Sequence, residues 1–322
     1  MPVSRKISAK AGTLLGLALC MAILPIFFPS SYYLRVGAMV YVNAFAVIGI
    51  VVLTGYVGQI SLGHAGFIGI GAYSCALLPP HLGLPVALAA LVGALLSGLL
   101  AWLVGQPVLR LKGYYLSVAT LGLGILVSMV LANEVQITGG PDGMAVPDIG
   151  LRQWLGILLG WKMNNAQFWY GASALALLAG AWVALNLRDS ATGRALRALH
   201  GSEVAARTVG INVARYKLQG FVISAMYASL AGSLLAMQNK FVTPEVASFM
   251  HSVEIVTMAV LGGAASVLGG IFGAAILTIL PQALTFLQEY EQIMLGLIMV
   301  LIMIGMREGL LPGLARILGG KS

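Results

Sequence analysis

Charge is what this 322-residue chain has least of: 18 Lys and Arg with 10 Asp and Glu make up 9% of it, where a soluble domain carries about 25%. So sparse a set cannot cover the surface of a soluble protein of this size. A cytosolic enzyme, a nucleic-acid binder and a disordered scaffold are thereby excluded. Cysteine is nearly absent, and Cys20 and Cys75 both sit in apolar runs, so no disulfide framework is present. The four histidines are scattered, and the chain has no H-E-x-x-H, no paired cysteines and no G-x-S-x-G. Neither a metal site nor a hydrolytic centre is expected, and no cofactor. The terminal Gly320-Lys321-Ser322 imitates the end of a phosphate-binding loop. Ala315 stands where that loop needs its first glycine, so no nucleotide site is expected.

What fills the chain instead is apolar: 59% hydrophobic residues, 41 glycines and a mean hydropathy of +0.95. High glycine suits membrane helices, where small residues let backbones approach. Arg5, Lys6 and Lys10 precede an apolar run over 14–28 that imitates a secretory signal, but no A-x-A cleavage site follows. This run is expected to remain as the first span. At roughly 20 apolar residues per crossing, the segments 12–34, 36–54, 64–80, 84–109, 114–133, 166–187, 217–237, 251–264, 268–287 and 291–306 read as spans. The fold expected is all-α, a polytopic membrane protein of about ten spans in a single integral-membrane domain over 1–322.

With both termini in the cytoplasm, all 18 basic residues except Arg35, Arg152, Lys162 and Lys240 fall inside, as the positive-inside rule requires. The net charge of +8 therefore reports orientation rather than nucleic acid. The spans 64–80 and 251–264 are short. The first follows the glycine-broken stretch Gly55, Gly58, Gly63, Gly66, and the second ends at Gly262-Gly263. They are the third spans of two five-span halves of inverted topology, the arrangement that points to a translocation path.

Two extramembrane segments stand out. The outer segment 134–165 holds the turn-rich Thr138-Gly139-Gly140-Pro141-Asp142-Gly143 and, with the residues after it, the aromatics Trp154, Trp161, Phe168, Trp169 and Tyr170. These suit an interfacial belt or a platform for a periplasmic partner. The cytoplasmic connection 188–217 holds Arg188, Arg194, Arg197, Arg207, Arg215 and Lys217, a third of all basic residues. Leu196, Leu199 and Val204 form a candidate apolar side, and Gly201 and Gly210 are candidate helix ends. Such a segment reads either as a short helix that docks into a partner's groove or as a basic loop on anionic lipid.

Polar groups within spans are the candidate path: Gln59, Ser61 and His64 in the broken lead-in, Thr120, and Glu254 near the outer end of its span. Freed backbone groups there must be satisfied by protein or water, so these side chains serve a zwitterionic solute or one another. Glu254 is either functional or a helix N-terminal acid on the dipole.

Glu203-x-Ala205-Ala206-x-x-x-Gly210 resembles the EAA loop of ABC-importer permeases. The stretch from Gly58-Gln59-Ile60-Ser61 to Tyr73, Tyr114 to Leu121, Thr138 to Gly143, and Ser252-Val253-Glu254 through Gly263 are similar to the branched-chain amino acid permeases of LivM/LivH type, and more to the LivM-type subunit. The resemblance covers about residues 35–306. It implies a transport subunit of the bacterial inner membrane without its own nucleotide site. Partners implied are a LivH-type permease subunit, two ABC ATPase subunits and a periplasmic substrate-binding protein. It further implies an ATPase-coupling loop at Arg194, Arg197, Glu203, Ala205, Ala206 and Gly210, and branched-chain amino acids (Leu, Ile, Val) as the solute. The same architecture carrying urea, short amides or organic acids, an ion-coupled secondary transporter, and a passive channel are the alternatives.

Overall fold

The computed structural model describes residues 3–111, 113–150 and 163–283, with positions 296, 300, 309, 310 and 313 beyond them. The expected span 291–306, the end of 268–287, Trp154, Trp161 and the Gly320-Lys321-Ser322 tail lie outside the described residues.

Helix α1 (Val3–Phe27) stops before Pro29, and Ser30 caps α2 (Ser31–Ile50) by accepting from the Tyr32 N–H. The expected boundary after residue 34 is therefore earlier, because proline and a serine cap end one helix and start the next. Helix α2 widens into a π-helical segment, Val51–Val57, which ends at Gly58. An extended break follows, then α3 (His64–Leu82), α4 (Val86–Val108) and α5 (Tyr114–Asn133). The short α6 (Val135–Thr138) and a turn lead to β1 (Met144–Ala145).

The second half begins with α7 (Asn165–Asp189), where Gln167 reaches back to the Asn164 N–H. Two short helices follow, α8 (Ala191–Gly201) and α9 (Glu203–Thr208), then the long α10 (Val213–Asn239). Ser190, Ser202 and Asn212 cap these three by accepting from Gly193, Ala205 and Arg215 N–H groups, as residues of this type do. Strand β2 (Phe241–Val242) precedes α11 (Phe249–Gly262) and α12 (Val267–Ala283).

Among the described residues six helices are long and apolar enough to cross a membrane, and α11 and the apolar part of α12 are shorter. The fold is helical as expected, except that β1 pairs antiparallel with β2, Met144 opposite Val242. Runs of two residues give too little alternation to read as strands.

Side-chain contacts fix the helix directions. Lys10 meets Asp189 at 2.7 Å and the Tyr170 hydroxyl donates to Met21 O at 2.7 Å, so α1 and α7 are antiparallel. Tyr170 also bonds Tyr41, and Phe45 packs at Gly180, so α2 and α7 are parallel. His64 meets Ser224, and Ser233 donates to Gly71 O, so α3 and α10 are parallel. Helix α4 runs against α10, with Gly98 at Met226 and Gly105 at Leu218. Helix α12 runs against α2, through Asn43 to Thr278 and Tyr32 to Gln282. Packing is reciprocal: α10 lies on α3 and α4, and α2 lies on α11 and α12.

Helices α2 and α10 form the centre; Ile48, Val51, Ala225 and Ser224 are fully buried. Lipid tails are as apolar as leucine, so close packing rather than burial from water holds these helices together. The α3–α10 contact is the tightest case. A Cβ at Gly71 would run into the Ser229 carbonyl, and one at Gly232 into the Ile68 carbonyl. Gly232→Val should therefore lower the thermal midpoint of the detergent-purified protein, overpacking of this kind costing about 1–3 kcal/mol. Gly171→Ala, which meets nothing within 4 Å, should leave the midpoint unchanged.

Candidate functional site

The break between α2 and α3 starts a helix inside the fold, and the first N–H groups of a helix have no intrahelical partner. In lipid each must be satisfied by protein or water. The Leu62 N–H donates to Thr120 Oγ1 at 3.2 Å, the Gly63 N–H to Ser61 Oγ at 3.5 Å and the Ala65 N–H to Ser252 Oγ at 2.9 Å. Thr120 passes its own proton to Ser117 O at 2.9 Å, and Ser117 Oγ donates to Ile60 O at 3.0 Å. Side chains from α5 and α11 thus complete the start of α3.

His64 is 1% exposed. Its Nε2 lies 2.6 Å from Ser224 Oγ, and Ser224 Oγ donates to Gly49 O at 2.6 Å. One hydroxyl proton serves one acceptor, so His64 Nε2–H is the donor to Ser224. The pair ties α3 to α10 and α10 to α2. Gln59 is buried as well, but both of its side-chain amide atoms lack partners among the described residues. Its carbonyl accepts from Thr54 Oγ1 at 3.1 Å.

The structure therefore brings Gln59, Ser61, His64 and Thr120 into one junction, and it does not bring Glu254 there. On α11, Ser252 and Ile255 face inward while Glu254 is exposed and pairs with His251 Nδ1 at 3.3 Å. Helix α11 also starts against α3. Before it, a 3-10 turn over Pro244–Ala247 carries Ala247 against Gly69, and Ser252 reaches the first turn of α3.

The segment 188–217 folds as two capped helices against the same junction. Gly58 adopts φ +78°, and a Cβ there would crowd His200 Nδ1 at 3.1 Å. Leu196 is fully buried, near Gly220 and beside Val57. Leu199, Ala206 and Val213 form a small core of their own. Val204, expected on that apolar side, is 75% exposed, because Ser202 ends one helix and turns the next.

Arg194 donates to Asp189 O at 3.0 Å and Arg197 to Arg188 O at 3.2 Å, closing the carbonyl end of α7. Glu203 forms an ion pair with Lys217, which is 5% exposed. Ala205 is exposed, and Gly210 turns the chain at φ +81°.

Sequence reading missed three parts of this arrangement: Lys217 as the partner of Glu203, and Ser224 and Ser252 as the groups that hold α3. Lys217 carried a signal, since a cation inside an apolar helix needs an acid within reach. The serines carried none. No group of His, Cys, Asp or Glu able to hold a metal lies among the described residues.

Comparison with known proteins places this chain in a family. A family model described as branched-chain amino acid transport system / permease component matches residues 32–303. The high-affinity branched-chain amino acid transport system permease protein LivM of Escherichia coli (strain K12) is 36% identical over 282 residues, 82% of this chain and 66% of that protein. LivM of Salmonella typhimurium matches over the same shares at the same identity. The chain thus spans about two thirds of the length of these two relatives. The permease protein LivH of Escherichia coli (strain K12) is 28% identical over 292 residues, 83% of this chain and 90% of that protein. No solved structure matches the chain. With its family model running through most of its length, this chain belongs to the branched-chain amino acid transport system permease components.

Proposed function

We propose that this chain is a transmembrane permease subunit of an ATP-driven importer for branched-chain amino acids, paired with a LivH-type subunit in the bacterial inner membrane. ATP hydrolysis belongs to two separate ATPase subunits, and a periplasmic binding protein delivers the solute. The observation that carries this reading is the capped helix pair α8–α9. It is held to the membrane body by Leu196, His200 and the Glu203–Lys217 pair, and it presents Val204 and Val209 outward, 75% and 74% exposed. A short, rigid, partly apolar surface suits docking in a partner's groove. Because it touches Gly58, its movement reaches the α2–α3 break directly.

The chain crosses the membrane ten times in two inverted halves, with both termini in the cytoplasm. The antiparallel α1 and α7, the parallel α2 and α7, and the reciprocal packing of α2 and α10 all support this arrangement. The path follows the exposed side of α11, where a carboxylate such as Glu254 facing hydrocarbon would be costly. It faces water or the second permease subunit instead. Gln59, Ser61, His64 and Thr120 form the polar backing of that path, and Gln59 keeps unpaired amide atoms for water or solute.

Reconstituted import of leucine should require ATP, the binding protein and the LivH-type partner together. Uptake by this chain alone down an ion gradient would contradict the proposal. Gly210→Trp should reduce ATPase copurification about tenfold, the equivalent of about 1.4 kcal/mol, while the membrane part still elutes as folded protein. Undiminished copurification with normal solute-stimulated hydrolysis would remove the coupling role. Ser224→Ala, which deprives His64 and Gly49 of their shared partner, should cost about 1 kcal/mol of stability, read as a lower thermal midpoint.

A further inference from the structure

A cavity of about 550 Å³ opens where α4 ends and α10 begins. It is lined by Arg110, Arg207, Arg215 and Lys217 with a single acid, Glu203. Lys217 is already neutralised by Glu203. The guanidinium groups of Arg110, Arg207 and Arg215 are exposed and have no ion-pair or side-chain hydrogen-bond partner among the described residues. The first turn of α10 opens into the same cavity, and its dipole adds to the positive potential. Three unpaired cations around one cavity fit a phosphate-bearing anion.

What identifies the anion is the surface leading away from the cavity. On α4, Leu95, Leu99 and Leu103 are 64%, 53% and 53% exposed. At helical spacing they lie in line with Gln106 and Arg110, which line the cavity. An apolar stripe along a candidate span thus ends in a cationic cup at its terminus. A free phosphate has no use for the stripe; a diacyl phospholipid uses both parts.

We propose that this cavity is a binding site for the headgroup of an anionic phospholipid, whose acyl chains lie along the leucine stripe of α4. Which leaflet supplies the lipid rests on the orientation proposed above; the site itself does not. Held there, the lipid contacts α9 and the root of α10, the segments that join the cytoplasmic helix pair to the membrane body. The bound headgroup would tie α4 to that joint.

The test uses the full chain released from vesicles of phosphatidylcholine mixed with phosphatidylglycerol, with bound lipids counted by native mass spectrometry. The wild type should retain phosphatidylglycerol preferentially, and Arg110→Gln/Arg207→Gln/Arg215→Gln should lose that preference by at least about tenfold. Arg35→Gln, at the far end of α2 from the cavity, should keep it. Should the triple variant not fold, a photoactivatable phosphatidylglycerol on the wild type should label peptides containing Leu99, Leu103 or Arg110. Equal retention of the two lipids by the wild type would overturn the proposal, as would unchanged preference in the folded triple variant or labelling confined to other helices. Inorganic phosphate that displaces no lipid but binds the wild type in pure phosphatidylcholine, and not the triple variant, would assign the cavity to a free anion instead. Loss of ATPase copurification without loss of lipid preference would assign it to an acidic protein surface. Neither assay measures import, so a failed transport reading would leave the lipid result standing.

Discussion

An unpaired N–H in lipid costs several kcal/mol, and the α2–α3 break places a run of them inside the fold. The rest of the structure is arranged around meeting that demand. Thr120 on α5, Ser252 on α11 and Ser61 in the break itself each supply an acceptor, and Ser224 on α10 takes the His64 N–H. Five elements therefore converge where a continuous helix would have needed none. A break of this kind is tolerated only where protein encloses it or water reaches it.

That convergence explains why the α8–α9 pair sits where it does. Gly58, the left-handed residue that ends the π-helical segment, is the point at which His200 touches the membrane body. Helix α8 is fastened on one side by Leu196, near Gly220 and beside Val57, and on the other by Arg194 and Arg197 on the end of α7. A force on the helix pair is delivered to the least regular part of the core. Packed interiors shift between discrete arrangements rather than bending smoothly, so such a joint suits a protein that must alternate between states.

Legibility in the sequence followed the range of the interaction. Local signals were plain: Gly262-Gly263 closed a span of 14 residues, as α11 shows, and His64 opened α3 where the glycine-broken stretch ended. Gly201 and Gly210, expected as helix ends, stand just inside the end of α8 and just beyond the end of α9, whereas the Ser190, Ser202 and Asn212 caps were not read. Ser61, His64 and Thr120 lie at the start of α3, and Gln59 lies in the break before it with its side chain unpartnered among the described residues. Contacts between distant residues were not legible. Nothing in the letters joined Lys10 to Asp189, Ser224 to Gly49, or Met144 to Val242. Val204 was misplaced because a helical period was carried across Ser202, and Glu254 was separated from the junction by the side of α11 it occupies.

In the function proposed, the α8–α9 pair meets an ATPase and passes its movement to the α2–α3 break. A photo-crosslinking residue at Val209, which is largely exposed, tests it most directly in the assembled importer within native membranes. An adduct with the ATPase subunit is expected, its yield changing between nucleotide-free and ATP-bound complexes. Adducts with lipid alone, in an importer that remains assembled and active, would contradict it.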